Sequence, residues 1–282
     1  GGTDIFARAI GEKLHKAMGQ PFLVENRPGA SGNIGASAVA KSPADGYTIM
    51  LATITLATNP AFYKSLDFDA TKDLAPITLV AGSPHMLVIN PSVPAKNVQE
   101  LIALAKKNPG KMSYASAGTG SPFHIAAELF KEQAGVDILH VPYKGGAPAV
   151  ADVLGGHVQM AFANLVAVVA QARSGQVRAL AVTTAKRSIA APDVPTMAEA
   201  GLPGYDFASW FGFLAPAGTP PDIIKKLNAE IVKAVRAPEI AARLSEEGAD
   251  LIAGSPEDFG AYLKSETAKW RKVIGAAGVQ PN

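Results

Sequence analysis

Five short stretches carry the residues best suited to hold a small molecule. They are Gly1-Gly2-Thr3-Asp4, Thr53-Ile54-Thr55, Ala117-Gly118-Thr119-Gly120-Ser121, Tyr143-Lys144-Gly145-Gly146-Ala147 and Ala163-Asn164. Nearly all are glycine, hydroxyl or amide residues. Glycine lets the backbone approach a ligand closely. Most of these stretches lead into a segment with helical spacing, so their amides open a helix, where they are unpaired and partly positive. Several such openings facing one cleft hold an anion without an arginine. A carboxylate there takes charge-assisted hydrogen bonds worth about 1.5–3 kcal/mol each. Two or three of these give micromolar affinity, about −8 kcal/mol, after the costs of association.

The binding candidates are therefore Gly2, Thr3, Asp4, Thr53, Thr55, Thr119, Gly120, Ser121, His124, Lys144, Gly145, Gly146, Ala147 and Asn164. Each also fits a plainer role. Ser121 before Pro122 matches a helix cap with proline in the first turn. Gly145-Gly146 fits a tight turn, Thr53 and Thr55 a strand end, and Asp4 and Asn164 a helix cap. His124 falls on the first turn of a helix, where packing or solvent accounts for it equally well. Lys144 is either solvated or closes over an anion. If Asp4 does face the ligand, the ligand carries a donor such as an ammonium. Trp210 and Phe211 suit core packing, with a cleft wall as the alternative.

Other chemistry has little to stand on. The five histidines, His15, His85, His124, His140 and His157, include no pair three or four residues apart, so a zinc-binding helix is not encoded. The chain has no cysteine, which removes disulfides, thiolate metal sites and a cysteine nucleophile. A Gly-x-Ser-x-Gly elbow and a P-loop are both missing. Gly118-Thr119-Gly120 opens like a dinucleotide fingerprint, but Phe123 stands where its third glycine belongs. The remaining enzyme candidate is a hydrolase or transferase using Ser121 and His124, with no acid evidently poised to orient the histidine. The chain is expected to be no enzyme and to carry no cofactor or metal. Lysine plus arginine number 26 against 24 acids, for a formal charge of +2, without the basic stripe that nucleic acid requires. No apolar run reaches the roughly 18 residues of a membrane span. The longest candidate, 158–172, is interrupted by Gln159, Asn164 and Gln171.

The elements that must position these stretches alternate. Apolar spacing predicts helices over 5–18, from 33 to about 41, and over 97–107, 122–134, 147–154 and 165–173. Asn97 and Glu100 stand in capping-box spacing. Strands are expected at 21–25, 47–52, 112–116, 138–142, 158–163 and 177–183. Strands separated by helices mean βαβ units and parallel pairing. The tail reads as a strand over 208–215, a helical run from 222 to 236, and a last helix opened by Ser255-Pro256 and ending near 274. Two places, 81–90 and 207–216, look like crossings between lobes. Residues 1–84 with 209–282 then form one lobe, and residues 85–208 the other. An α/β unit opens with a strand before its first glycine turn, so a strand upstream of Gly1 is expected.

Six stretches occur in order: Gly1-Gly2-Thr3-Asp4, Glu25-Asn26-Arg27-Pro28-Gly29-Ala30, Gly32-Asn33-Ile34-Gly35, Ser42-Pro43-Ala44-Asp45-Gly46-Tyr47-Thr48, Val141-Pro142-Tyr143-Lys144-Gly145-Gly146 and Ala215-Pro216-Ala217-Gly218-Thr219-Pro220. Together they resemble the Bug family, the receptors of tripartite tricarboxylate transporters, over essentially the whole chain. The resemblance implies an α/β type II periplasmic binding fold, with two lobes, each around a mostly parallel sheet, joined by a hinge of crossing strands. It implies export by a signal peptide, a periplasmic location and a two-component membrane permease as partner. It also implies a di- or tricarboxylate, an aromatic acid or an acidic amino acid as ligand. A monomer is expected, without nucleic acid. Carried over by motif, the cleft falls on Gly2, Thr3 and Asp4, on Thr119, Gly120 and Ser121, and on Gly145, Gly146 and Ala147. A sensor that signals to a membrane kinase would use the same site. The strand and proline-glycine segment that precede the first motif in the family are not in this sequence.

Overall fold

A computed structural model of the chain describes residues 2–27, 29–246 and 249–276. Helix α1 spans Gly2–Met18. An extended stretch and a single tight turn, Ala30–Gly32, lead into α2, Asn33–Ala40. Strand β1 is Met50–Thr53, and α3 follows at once over Thr55–Phe62. The expected strand at 21–25 does not form. Those residues pair with no ladder among the described residues, and an extended segment without a neighbouring strand leaves its backbone to solvent.

Strand β2 is long, Leu74–Ile89, and passes from one half of the sheet to the other. The second half is built from α4 (Val98–Lys107), β3 (Ser113–Ser116), α5 (Pro122–Ala134), β4 (Leu139–Pro142), α6 (Gly146–Leu154), β5 (Met160–Asn164), α7 (Leu165–Arg173) and β6 (Arg178–Val182). The chain then recrosses as β7 (Ala208–Pro216) and finishes with α8 (Pro221–Val235), α9 (Pro238–Glu246), β8 (Asp250–Leu251) and α10 (Pro256–Ala276). The helix starts follow the sequence signals. Asn97 accepts the Glu100 N–H at 2.9 Å while Glu100 Oε2 accepts the Lys96 N–H at 2.7 Å. Ser255 Oγ accepts the Asp258 N–H at 3.1 Å.

The eight strands form one sheet in the order β1-β7-β2-β5-β3-β4, with β6 and β8 also on β2. Strand β3 lies between β4 and β5 and is parallel to both. Both β5 and β6 run antiparallel to β2. So β6, β5, β3 and β4 all point one way, as βαβ units require, and β2 alone runs against them. In the first half every described ladder, β1–β7, β7–β2 and β2–β8, is antiparallel. The crossing strands pair with each other there, and β1 joins the outer edge of β7.

The hand-over on β2 is abrupt. Pro84 pairs with Ala208 of β7, and the next residue, His85, pairs with Asn164 of β5. Thr183 ties the junction: its Oγ1 accepts the His85 N–H at 2.9 Å and its N–H donates to the His85 carbonyl at 2.9 Å. Its own carbonyl accepts the Phe207 N–H. The His85 ring is fully buried, edge-on to Phe123 and Phe207 at 5.6 and 5.1 Å. Neither ring nitrogen makes a hydrogen bond of normal geometry among the described residues. Nearby, Trp210 is buried against Phe259 and Tyr262, so core packing is its role.

Burial pushes the His85 imidazole down to about 3, against an opposing contribution from the Ser83 backbone. The folded chain therefore keeps it neutral, while the unfolded chain protonates it below its ordinary value of 6.5. Between those two values the unfolded state binds more protons, so this group's contribution is complete above about 6.5 and is lost as pH falls. His85→Leu should flatten the fall in melting temperature between neutral and mildly acidic pH. Wild-type and variant curves that stay parallel over that range would contradict the assignment.

Candidate functional site

A cavity of about 1270 Å³ opens beside β1. Seven of the sequence candidates line it: Thr3, Asp4, Thr53, Thr55, Thr119, Gly120 and Ser121. They come from distant parts of the chain. Thr3 and Asp4 lie in the first turn of α1, Thr53 ends β1, Thr55 begins α3, and 119–121 lead into α5. Three helix starts therefore meet one space. The rest of the wall is more apolar and includes Leu14, Met18, Phe22, Leu51 and Phe213. This matches the pattern of ligand sites, an apolar pocket with a few placed polar groups.

The individual side chains are already engaged in informative ways. The Asp4 carboxylate takes bonds from Arg8 Nε at 3.0 and 3.1 Å and from Asn26 Nδ2 at 2.6 Å. It ties the extended stretch 25–27 to α1, and these bonds, Arg8's first, hold its carboxyl below the usual range. Asp4 thus braces the cavity wall that it also lines, from inside the first turn of α1 and not from its cap position. The hydroxyls of Thr53 and Thr55 lie 3.0 Å apart. Ser121 caps α5: its Oγ accepts the His124 N–H at 3.4 Å, which leaves its hydroxyl hydrogen available to an acceptor in the cavity.

Gly120 does not present its amide to a ligand, because that N–H donates to His124 Nδ1 at 3.0 Å. His124 itself is buried beneath the turn and does not line the cavity. The same contacts dismantle a Ser121–His124 dyad. Nδ1 is occupied by Gly120, and Nε2 lies 3.9 Å from Glu128 Oε1.

Lys144, Gly145, Gly146, Ala147 and Asn164 are also outside the wall of this cavity. They nevertheless sit at the same end of the parallel strands, at the starts of α6 and α7. The 143–146 turn abuts the 118–123 turn: a Cβ on Gly118 would stand 3.4 Å from the Tyr143 carbonyl oxygen, and one on Gly146 would stand 3.2 Å from the Phe123 ring. Lys144 and Ala147 are exposed, and Gly145 and Gly146 partly so. Asn164 occupies the cap position of α7, yet its side chain makes no capping bond. Gly2 opens α1. Gly1 and Pro28, part of the sequence motifs, lie outside the described residues.

Sequence reasoning missed a pair on the cavity wall, Asn33 and Asn59, both buried. Asn59 Nδ2 donates to the Ser31 carbonyl at 3.1 Å and to Asn33 Oδ1 at 2.7 Å. Because a carbonyl must face a donor, those bonds fix both amide orientations. The pair clamps the start of α2 to α3 across a turn in which Ala30, Ser31 and Gly32 all have positive φ. Two Asn residues 26 positions apart give no pattern to find in the sequence.

The model of the tripartite tricarboxylate transporter family receptor matches residues 6–279. The R. palustris protein Rpa4515, solved with adipate, is 40% identical and superposes with a TM-score of 0.84, covering 99% of this chain and 94% of that one. The periplasmic binding protein BugD is 35% identical with a TM-score of 0.83, over 100% and 95% of the two chains. MatC from Rhodopseudomonas palustris, with bound malate, is 31% identical with a TM-score of 0.81, over 96% and 94%. With matches of this extent, the chain belongs to the tripartite tricarboxylate transporter receptor family, in its Bug-type branch, and has the periplasmic binding protein fold.

Proposed function

We propose that this protein captures a small carboxylate, a dicarboxylate of the size of adipate or malate, and delivers it in the periplasm to a membrane permease. One observation carries this most: the starts of α1, α3 and α5 bring Thr3, Thr55 and Ser121 to one cavity. A carboxylate there accepts hydroxyl and amide hydrogens from several helix openings at once. The similar proteins that hold adipate and malate support the same class of ligand.

The two lobes would be residues 1–84 with 209–282 and residues 85–208. Closure would be driven by the anion, since Thr3, Thr53 and Thr55 would belong to one lobe and Thr119 and Ser121 to the other, and each lobe offers amide or hydroxyl donors to the cleft. The turns at Gly145-Gly146-Ala147 and Asn164 would complete the far side on closing, with Lys144 at its rim. The apolar part of the wall, with Leu14, Met18, Phe22 and Leu51, suits the carbon chain between the two carboxylates.

Two outcomes are expected. In a thermal-shift series, adipate or malate should raise the melting temperature, while the corresponding diamides should not. A protein stabilised by sugars or amides but by no carboxylate would overturn the proposal. Thr55→Val should weaken dicarboxylate binding by roughly tenfold, about 1.4 kcal/mol, and leave the melting temperature of the ligand-free protein nearly unchanged. Titration calorimetry measures the first and a melting curve the second.

A further inference from the structure

The glycine turn that opens α5 rests on a stack of rings, two of them buried and one partly so. The imidazoles of His124 on α5 and His140 on β4 lie 4.1 Å apart and 14° from parallel. Tyr114 of β3 lies nearly parallel beside both, 5.0 Å from His140 and 6.3 Å from His124. Each imidazole is linked to one amide of the turn. His124 Nδ1 accepts the Gly120 N–H at 3.0 Å. Ser116 Oγ accepts the Gly118 N–H at 3.1 Å and lies 2.6 Å from His140 Nε2. Both glycines have positive φ, 119° and 77°. That backbone is open only to glycine at low cost, and glycine left alone does not keep it. The turn closes on itself where the Ser121 N–H donates to the Gly118 carbonyl at 3.1 Å, and the two amide bonds from Gly118 and Gly120 anchor it to the rings.

The Gly120 amide fixes which His124 nitrogen carries the proton. A donor at Nδ1 forces the His124 hydrogen onto Nε2, which faces Glu128 at 3.9 Å. Glu128 is buried, accepts the Tyr114 hydroxyl at 2.6 Å, and is bonded by Lys131 at 2.8 and 3.1 Å. Burial, then the neighbouring His140 and Lys131, push His124 down to about 3. Burial likewise lowers His140. Both rings are therefore neutral near neutral pH and able to accept. The groups facing the pair are thus Glu128, Lys131, Tyr114 and Ser116.

We propose that His124 is a positioning residue for the ligand site: it does not touch the ligand, but by holding the Gly120 amide from below, with His140 and Ser116 holding Gly118, it fixes the orientation of Thr119 and Ser121 on the cavity wall. This rests on the cavity being the carboxylate site. What the site needs from position 124 is a neutral acceptor at the place of Nδ1. The shape and aromatic packing of the ring serve stability instead.

The test compares His124→Asn, whose amide oxygen reaches close to the Nδ1 position, with His124→Leu, which has no acceptor. Adipate affinity is read by calorimetry near neutral pH, and Gly120 amide exchange by NMR in the ligand-free protein. His124→Leu should weaken adipate binding and speed Gly120 exchange, each by about tenfold or more. His124→Asn should return both to within about threefold of wild type, while its melting temperature stays low for want of the ring. Rescue of binding without rescue of stability is what a purely structural histidine would not give. A folded His124→Leu that binds adipate like wild type, or two variants that lose affinity alike in step with their melting temperatures, overturns the proposal. If His124→Leu does not fold, Ser116→Ala removes the Gly118 anchor and is read the same way: weakened adipate binding supports the proposal and unchanged binding overturns it. If wild type binds no carboxylate, the cavity assignment itself fails. Gly120 exchange then still decides the anchor, since unchanged protection in both variants rejects it.

Discussion

Every helix begins with N–H groups that its own turns cannot satisfy, and this protein gathers several of those beginnings around one space. That constraint shapes the site more than any single side chain does. In the proposed function an anion would be held there by groups that the fold must produce anyway. The cost is that the turns carrying them must be held still. Asp4 braces the start of α1 against Asn26, the Asn33–Asn59 pair ties the start of α2 to α3, and Ser121 caps α5. The polar groups on the cavity wall are held in place by bonds to one another and to the backbone of neighbouring turns.

The second requirement is that the two halves of the wall be carried by one framework. Strands β2 and β7 supply it by pairing with each other along most of β7 before β2 enters the second half of the sheet. His85 stands at that hand-over in an apolar box of Phe123 and Phe207, with Thr183 bonding its backbone on both sides. Phe123 belongs to α5, so the same helix whose start lines the cavity also packs on the crossing. Movement of one half against the other would be felt at the Ser121 cap through a single rigid element.

Much of this was legible in the residues, and the lapses have physical causes. Helix α5 was readable at both ends because Ser121-Pro122 and Gly135 are strong punctuation, and α4 because Asn97 and Glu100 cap it reciprocally. Strand β2 was only half visible. Only 81–90 was readable, as a crossing; the stretch before it contains Pro76, and register shifts after Pro76 and after Leu79 absorb the irregularity so that the strand runs from Leu74. Its antiparallel course between β5 and β6 follows from the crossing, which local periodicity does not encode. Helix α3 was missed because Thr55–Phe62 is short and its hydrophobic face is broken by Asn59 and Pro60. The segment 21–25 has strand composition, and composition does not supply a partner. Seven of the site candidates were brought to one cavity, but the part played by His124 was out of reach. Gly120 and His124 are four residues apart in any reading, whereas the ring stacked beneath comes from His140 on another strand.

The most direct measurement follows the backbone amides themselves. Adipate titrated into isotopically labelled protein should shift the N–H resonances of Thr3, Thr55 and Thr119 together, along one binding curve. Gly120 and Ser121 should move less, since their hydrogens are already committed to His124 and to the Gly118 carbonyl. Shifts confined to a single helix start, or a large response at surfaces remote from all of them, would contradict a site made of converging helix beginnings.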